Sequence, residues 1–332
     1  MKDLIQQLVE ATGPSGYESE IRAIVRRQVE KYVEELRVDA LGNLIASKGL
    51  DRNGGKKIML AAHMDEIGLI ATHIDDQGFV RFTTVGGVHR ENLVGGRVRF
   101  INGVQGVIGM ERPDEVNRLP SFEQMFIDVG ATRRDNCPVR VGDIAAFDRP
   151  FADFGNRLVS KAMDDRIGVA VLVETLRRFK DSPHQVFFVF SVQEEVGLRG
   201  ATTAAFGLEP DLGVAVDVTR SGDTPKGVKM EVKLGAGPAI KVRDGGMLSD
   251  PRVVDWMLRT AEKARLPTQL EVLESGTTDA RAIQLTRAGV PAGCISIPCR
   301  YIHTPSEMVD FRDVELAVDL FLALLSAPVE LR

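Results

Sequence analysis

The chain has 332 residues, of which 44% are hydrophobic and 27% are charged, and its formal net charge is −5 at pH 7. This composition is that of an ordinary globular protein with a sizeable core, and its mild acidity without any basic run argues against a nucleic-acid partner. The amino-terminal segment lacks the apolar core of a signal peptide, and no stretch of about 18 apolar residues is present to cross a membrane. We therefore expect a cytoplasmic protein without membrane contact.

The segment 1–66 alternates between helical and strand patterns. Apolar residues at helical spacing predict helices over Lys2–Ala11 and Tyr17–Glu35. A strand pair is expected over Leu36–Ser47, which contains the turn signal Leu-Gly-Asn. The apolar run Ile58–His63 predicts a buried strand that leads directly into the acids Asp65 and Glu66.

From Ile67 to Gly155 the pattern changes to short strands and turns. Runs such as FVRFTTV, RVRFI and VQGVIGM are separated by the turn signals DQG, GG and NG, and helical periodicity is weak. This pattern predicts a small all-β insert over 67–155, folded as a compact barrel. The segments 1–66 and 156–332 on either side would then form one α/β catalytic domain.

After the insert the α/β pattern resumes. Helices are predicted over Asp164–Lys180, Ala201–Phe206, Asp250–Leu266, Thr278–Ala288 and Asp310–Ser326. Strands are predicted over Val186–Val192, Leu212–Val218, Gln269–Leu273 and Ala292–Pro298, with further strands within Lys229–Lys241. Strands that alternate with helices predict a mostly parallel sheet covered by helices on both faces.

Residues that can bind a metal ion follow several of the predicted strands. They are His63 and Asp65 after the first buried strand, Glu194 and Glu195 after the next, Asp217 at the end of a third, and His303 a short loop after a fourth. Another carboxylate, Asp164, begins a predicted buried helix. Because ligands of open α/β sheets bind beyond the carboxyl ends of the strands, we expect these side chains to share one rim.

The residue types indicate the class of metal. Imidazole and carboxylate ligands without thiolate suit zinc, cobalt or manganese. Two histidines and three acids exceed the three protein ligands of a typical catalytic zinc ion. They suffice for two ions that share one carboxylate, and such a pair can activate water and stabilise a tetrahedral intermediate.

Five motifs, in their order along the chain, resemble those of the dinuclear-metal aminopeptidases that assemble into tetrahedral (TET) particles of twelve subunits. The motifs are HMDE at 63–66, AMDDRIG at 162–168, QEEVGLRGA at 193–201, VDV at 216–218 and YIHTPSE at 301–307. The resemblance extends to GPSGYE at 13–18, to GTTDA at 276–280 and to the position of the β insert. Members of this family are named glutamyl or leucyl aminopeptidases, and some are named endoglucanases.

The resemblance implies a set of metal ligands. Asp164 would bridge two divalent ions, which would be zinc or cobalt. His63 and Asp217 would complete one metal site, whereas Glu195 and His303 would complete the other.

The resemblance also implies a base, a substrate and an assembly. Glu194 would be the general base, and Asp65 would orient the ring of His63 through its other nitrogen. The substrates would be peptides. The insert would mediate dimerisation and contribute to a tetrahedral dodecamer.

Several other polar residues fit ordinary structural roles. These are Glu66 and Asp165, the histidines His73, His89 and His184, and the thiols Cys294 and Cys299. Four further residues could either contact the substrate or have a local structural role, and the sequence does not decide between the two. They are Arg220, Thr277, Thr278 and Asp279.

Other functions remain open alternatives at this point. A related dimetal carboxypeptidase or N-acyl amino acid deacylase would share the paired glutamates, and a non-enzymatic member would use the insert as a scaffold. An endoglucanase would work with two carboxylates and usually no metal, which leaves the histidines without a role. The preferred amino-terminal residue (Leu, Glu, Lys or another) depends on loop residues and is not predicted.

Overall fold

The computed structural model describes residues 1–49, 55–111 and 120–331. In these ranges the chain forms a large mixed sheet with helices packed on both faces, and a separate closed antiparallel barrel. Among the described helices, none is long and apolar enough to span a membrane.

The elements are numbered along the chain. The helices are α1 (Lys2–Glu10), α2 (Ser19–Val29), α3 (Met163–Arg178), α4 (Arg199–Leu208), α5 (Pro251–Ala264), α6 (Asp279–Gln284) and α7 (Phe311–Leu325). The large sheet begins with β1 (Glu35–Val38), β2 (Leu44–Lys48) and β3 (Lys57–His63). The barrel contains β4 (Gly68–Ile74), β5 (Val80–Val85), β6 (Arg97–Phe100), β7 (Gln105–Met110), β8 (Met125–Asp128) and β9 (Ile144–Phe147). The large sheet continues with β10 (Ala152–Asp153), β11 (Arg157–Ser160), β12 (Gln185–Ser191), β13 (Leu212–Arg220), β14 (Ala239–Arg243), β15 (Gln269–Val272), β16 (Ala292–Arg300) and β17 (Glu307–Asp310).

The centre of the large sheet is parallel. The strand order is β1-β2-β12-β3-β13-β16-β17-β11-β10, and β14 joins β16 to β15. The neighbours β12, β3, β13 and β16 all pair in parallel, whereas the pairs toward the β1 and β10 edges are antiparallel. Parallel strands place their carboxyl ends at one edge, so this arrangement gathers the loops that follow them. The predicted fold class, a mostly parallel sheet with an inserted β barrel, is confirmed.

The central strand β3 shows why its sequence is apolar without alternation. Ile58, Leu60 and Ala62 belong to the core formed with α1, α3 and α7. Met59 and Ala61 face the opposite way and belong to the core beneath α4 and α6. Successive side chains of a strand point to opposite faces, so a strand covered on both sides must be apolar at every position.

The barrel follows the alternating pattern of a strand with one buried face. In β6, Val98 and Phe100 are buried in the barrel core while Arg97 and Arg99 are exposed. The six strands close in the order β4-β5-β8-β7-β6-β9. After the last barrel strand the chain returns to the large sheet, where β10 pairs with β11. The domain limits at residues 66 and 156 stay predictions.

Three predicted elements differ from the observed ones. The helix predicted over Tyr17–Glu35 ends earlier, because a 3₁₀ turn over Glu30–Tyr32 leads the chain into β1. The helix predicted over Thr278–Ala288 is the short α6, and Arg287 beyond it has a left-handed backbone. Within Lys229–Lys241 the only strand residues are those that begin β14, since the segment 221–238 forms neither helix nor strand.

Candidate metal centre

Six predicted site residues meet at the carboxyl edge of the parallel strands. They are His63 at the end of β3, Glu194 and Glu195 in the loop after β12, Asp217 near the end of β13, His303 in the loop after β16, and Asp164 at the start of α3. The sheet register accounts for this: Ser191 of β12 lies opposite His63, and Ala215 of β13 lies opposite Ala61. His63 and the start of the glutamate loop therefore lie at one level, and Asp217, two residues after Ala215, reaches the same level within β13.

Asp164 lies between the two histidines. Its Oδ1 is 3.0 Å from Nε2 of His63, and its Oδ2 is 3.4 Å from Nε2 of His303. Nε2 of His303 is also 3.3 Å from Oε2 of Glu195, and Nε2 of His63 is 4.0 Å from Oδ1 of Asp217. Each oxygen of one carboxylate thus faces a different imidazole, which is the geometry that a carboxylate bridging two ions requires.

Two groups of three residues bring their ligand atoms within 4.8 Å of one another. One is His63, Asp164 and Glu195, and the other is His63, Glu194 and Asp217. Oε2 of Glu194 lies 3.8 Å from Nε2 of His63, which is slightly closer than Asp217. By distance Glu194 therefore belongs to the cluster as much as Asp217 does, and its role as a base stays a prediction.

The cluster holds more negative charge than its own cations balance. Burial, together with the charges of Asp217, Glu195 and Asp279, raises the pKa of Glu194 well above its ordinary value. Burial and the charge of Asp164 likewise raise the pKa of Asp217 well above normal. In addition, Oε1 of Glu195 is buried and has no hydrogen-bond partner in the described part of the chain. Divalent cations would relieve this imbalance, and the donor set of imidazole and carboxylate fits them.

In the absence of a bound ion, the surrounding carboxylates raise the pKa of both imidazoles. Burial lowers the pKa of His303, but hydrogen bonds and attraction from Asp164 and Glu195 outweigh it and raise that pKa to about 12. Burial also opposes the charged form of His63, yet Glu194 and Asp164 hold its pKa well above the ordinary value. Bound metal ions would take the place of these protons, because a ligating imidazole is neutral.

Asp65 supports the glutamate loop as well as the histidine. Its carboxylate is fully buried: Oδ1 accepts the backbone N–H of Glu194 at 3.0 Å, and Oδ2 accepts that of Glu195 at 3.2 Å. The hydroxyl of Ser15 donates to Oδ2 at 2.6 Å. Nδ1 of His63 is 3.6 Å from Oδ1 of Asp65 and 3.1 Å from the Asp65 carbonyl oxygen. The predicted contact with the ring is therefore closest through the backbone carbonyl.

A carboxylate that the sequence interpretation missed, Glu307, holds two of the predicted ligands in place. Its Oε2 accepts the backbone N–H of Asp164 at 2.9 Å, and its Oε1 accepts that of His303 at 2.7 Å. His303 has φ +63°, a left-handed backbone that a non-glycine residue adopts only with local support. The position of Glu307 at the end of the YIHTPSE motif was the available signal.

The residues expected to be structural have partners that suit that role. Asp165 is fully buried and accepts the backbone N–H groups of His63 at 3.3 Å and Gly168 at 3.1 Å. The thiols of Cys294 and Cys299 lie in the core, and burial raises the pKa of both.

Glu66 lies in a buried ionic cluster beside the site. Its carboxylate is 2.8 Å from Nζ of Lys161 and 3.4 Å from Nη2 of Arg166. Arg166 is fully buried and also donates to the carbonyl oxygens of Met64 at 2.5 Å and Leu8 at 2.6 Å. This cluster fastens the segment after β3 to α1 and to the start of α3, the elements that carry His63 and Asp164.

The barrel also reaches the site. The ring of His89 lies 6.3 Å from that of His303, measured between centroids. A Cβ atom on Gly87 would lie 2.7 Å from Nδ1 of His303, so glycine permits this close approach of the barrel loop. The spacing of apolar residues along the sequence does not predict such a contact between distant segments.

A cavity of about 360 Å³ extends from the carboxylates. Its wall includes Arg220, Lys241, Thr277, Thr278 and Arg281. Three of the four residues left open by the sequence, Arg220, Thr277 and Thr278, thus line the cavity. The hydroxyl of Thr278 also caps α6 by accepting the N–H of Ala280 at 3.3 Å.

The model of one protein family, the M42 glutamyl aminopeptidases, matches residues 42–320. The chain belongs to this family. It is 46% identical to a putative aminopeptidase of Acetivibrio thermocellus over 97% of both proteins. The structure is similar to that of the aminopeptidase APDkam598 from Desulfurococcus kamchatkensis, with a TM-score of 0.94, 44% identity, and 98% of this chain and 94% of that chain covered.

A further solved structure bears on the predicted tetrahedral family. The Pyrococcus horikoshii TET1 peptidase, which can assemble into a tetrahedron or a large octahedral shell, matches with a TM-score of 0.88 and 31% identity over 98% of this chain and 99% of that chain. The family prediction is confirmed. The protein is a metalloaminopeptidase, a hydrolase of a family that uses divalent metal ions. This M42 enzyme is therefore an aminopeptidase. That activity argues against both the carboxypeptidase alternative and the scaffold alternative.

Proposed function

We propose that this M42 enzyme releases amino-terminal residues from peptides at a centre of two divalent ions, with Glu194 as the general base. The observation that carries the proposal is the position of Asp164, whose two oxygens face His63 at 3.0 Å and His303 at 3.4 Å. When bound, the two ions would polarise the scissile carbonyl and lower the pKa of the attacking water.

The ligand assignment is the one that the family resemblance implies, and the distances around that carboxylate are compatible with it. Asp164 would be shared by the two ions, and His63 with Asp217 would complete one site. Glu195 with His303 would complete the other site. Each ion would then have three protein ligands, which would leave room for water and substrate. The absence of thiolate among these five side chains favours zinc or cobalt.

Glu194 moves the proton. It takes a proton from the attacking water and later gives it to the amine nitrogen that leaves. The Glu194 side chain is 10% exposed and lines the cavity. Its backbone N–H donates to Oδ1 of Asp65 at 3.0 Å, which holds this part of the loop in place.

Self-association is the second part of the proposal. The Pyrococcus horikoshii TET1 peptidase assembles into a tetrahedron or an octahedral shell and shares the fold over almost the whole chain. We propose that the present chain likewise forms dimers, through its barrel, and a tetrahedral dodecamer. A hollow particle of this kind would admit peptides and exclude folded proteins.

The test is hydrolysis of a panel of aminoacyl-p-nitroanilides by protein stripped of metal and reloaded with zinc or with cobalt. We expect metal-dependent release with a preference for certain amino-terminal residues. An N-acetylated peptide should resist cleavage, because the free α-amine is part of what the centre recognises. Continued cleavage of the acetylated peptide would contradict the aminopeptidase mechanism in favour of the deacylase alternative.

A further inference from the structure

A second and larger cavity adjoins the one at the metal centre. Its volume is about 930 Å³, and its walls come from β15 and from the segment 228–232. Arg220, Leu273 and Ser275 line both cavities. The two spaces are therefore neighbours that share part of their walls. We call the second cavity the exit groove.

Part of the wall of the exit groove is apolar and faces solvent. Val228 is 52% exposed, Leu270 is 50% exposed and Val272 is 56% exposed. Apolar side chains exposed together along a concave surface mark a binding site more often than isolated ones do.

One wall of the exit groove is a strand with a free edge. In the part of the chain that the structure describes, β15 pairs only with β14. The unpaired backbone groups of such an edge can accept an extended peptide as an additional strand.

The opposite wall is held in a fixed position. The side-chain amide of Gln269 accepts the backbone N–H of Lys233 and donates to its carbonyl oxygen, both at 2.9 Å. The same amide donates to the carbonyl of Gly237 at 2.7 Å. These bonds connect the start of β15 to the segment that follows 228–232, so the groove keeps its width without a ligand.

We propose that the exit groove binds the part of the peptide that lies downstream of the scissile bond. The inference rests on the proposed function, in which the α-amine is held at the metal centre. The first cavity, at about 360 Å³, has room for the amino-terminal residue and the scissile bond. The rest of a longer peptide must leave that cavity, and the shared residues make the exit groove its neighbour.

Arg220 stands at the junction of the two spaces. It is the last residue of β13, three residues after Asp217, and its side chain is exposed. Its guanidinium carries five N–H donors, which can hydrogen-bond the carbonyl oxygens of a passing peptide or the carboxylate of a short one.

The test compares substrates of different length with the same amino-terminal residue, chosen as the preferred one in the p-nitroanilide panel. The wild-type enzyme should show a kcat/KM for the tetrapeptide about tenfold above that for the dipeptide, a gain of about 1.4 kcal/mol. In Val228→Asp and Leu270→Asp the ratio of the two values should fall toward one. The matched control is Val38→Asp, because Val38 is 41% exposed at the end of β1, outside the barrel, and lines neither cavity.

Four outcomes would overturn the proposal. A wild-type kcat/KM that does not depend on peptide length would do so, as would groove variants that keep the wild-type ratio. Groove variants that change the oligomeric mass in light scattering but keep the ratio would assign the groove to a second copy of the chain. If no p-nitroanilide is hydrolysed with either metal, the proposed function fails first and the groove proposal falls with it.

Discussion

Two clusters of buried charge lie side by side in this fold and differ in how their charge is balanced. In the cluster of Glu66, Lys161 and Arg166, one carboxylate meets two cations of the protein itself. At the metal centre, the carboxylates outnumber the two imidazoles, and burial raises the pKa of Glu194 and Asp217. A buried carboxylate that cations of the protein neutralise serves the fold, whereas buried carboxylates that they do not neutralise are prepared for a ligand of opposite charge.

The largest expected effect follows from a substitution of Asp164, the central carboxylate of the metal centre. Asp164→Asn removes the negative charge that the proposal shares between two ions. We expect turnover to fall by about a thousandfold or more, which corresponds to about 4 kcal/mol. Metal analysis by mass spectrometry should find fewer than two ions per chain. An Asn variant that binds two ions and keeps its activity would remove Asp164 from the bridge.

A substitution in the cluster of Glu66, Lys161 and Arg166 should lower the stability of the fold instead. Arg166→Met leaves Glu66 with one buried cation and frees the carbonyl groups of Met64 and Leu8. Breaking a buried ion pair by removing one partner costs about 3–5 kcal/mol, which urea unfolding of the metal-loaded protein would measure.

The control for Arg166→Met is Arg259→Met, which breaks an exposed pair with Asp255 in the same helix. Its cost should be about 1 kcal/mol or less. Equal losses in the two variants would mean that the buried cluster contributes no more to stability than a surface ion pair.

The comparison also shows what the sequence could predict. The parallel sheet was predictable because the runs in β3 and β12 are apolar at every position, and the barrel because strands such as RVRF alternate. The ends of these strands led to His63 and Glu194. Glu307, which holds the backbones of Asp164 and His303, could not be assigned this way, since its partners are distant in the chain or follow no period.

A smaller effect is expected from pH when the metal is removed. The pKa of His303 is raised from its ordinary value near 6.5 to about 12 in the metal-free fold. A group whose pKa is raised by folding stabilises fully below its unfolded pKa, and this stabilisation is lost as the pH rises toward the folded pKa. The contribution of His303 to the free energy of unfolding of the stripped protein should therefore be fully present at pH 6. It should decrease progressively as the pH rises to 9.

The measurement is thermal unfolding of the stripped protein at pH 6 and pH 9, with His303→Gln beside it. The expected loss for the wild-type chain is on the order of 1 kcal/mol, after screening by solvent. The variant should lose less, because its side chain does not titrate. A wild-type chain that gains stability between these pH values, relative to the variant, would contradict the charged imidazolium.

The smallest effect concerns the support of the glutamate loop. Ser15→Ala removes the hydroxyl that donates to Oδ2 of Asp65 at 2.6 Å, while the N–H groups of Glu194 and Glu195 remain as donors. We expect a loss of about 1 kcal/mol in the free energy of unfolding and a decrease of a few-fold in kcat. Unfolding in urea and steady-state kinetics would measure both. A kcat reduced as strongly as in Asp164→Asn would mean that Ser15 acts directly in the reaction.

The most direct test of the dimetal mechanism is the Glu194→Gln variant, measured for bound metal and for turnover on the same preparation. The substitution keeps the size of the side chain and removes its ability to accept a proton. The proposed mechanism predicts two divalent ions per chain, as in the wild type, with kcat reduced by about two to four orders of magnitude. A variant that hydrolyses p-nitroanilides at the wild-type rate would contradict the role of Glu194 as the base. A variant that loses one ion would instead make Glu194 a metal ligand.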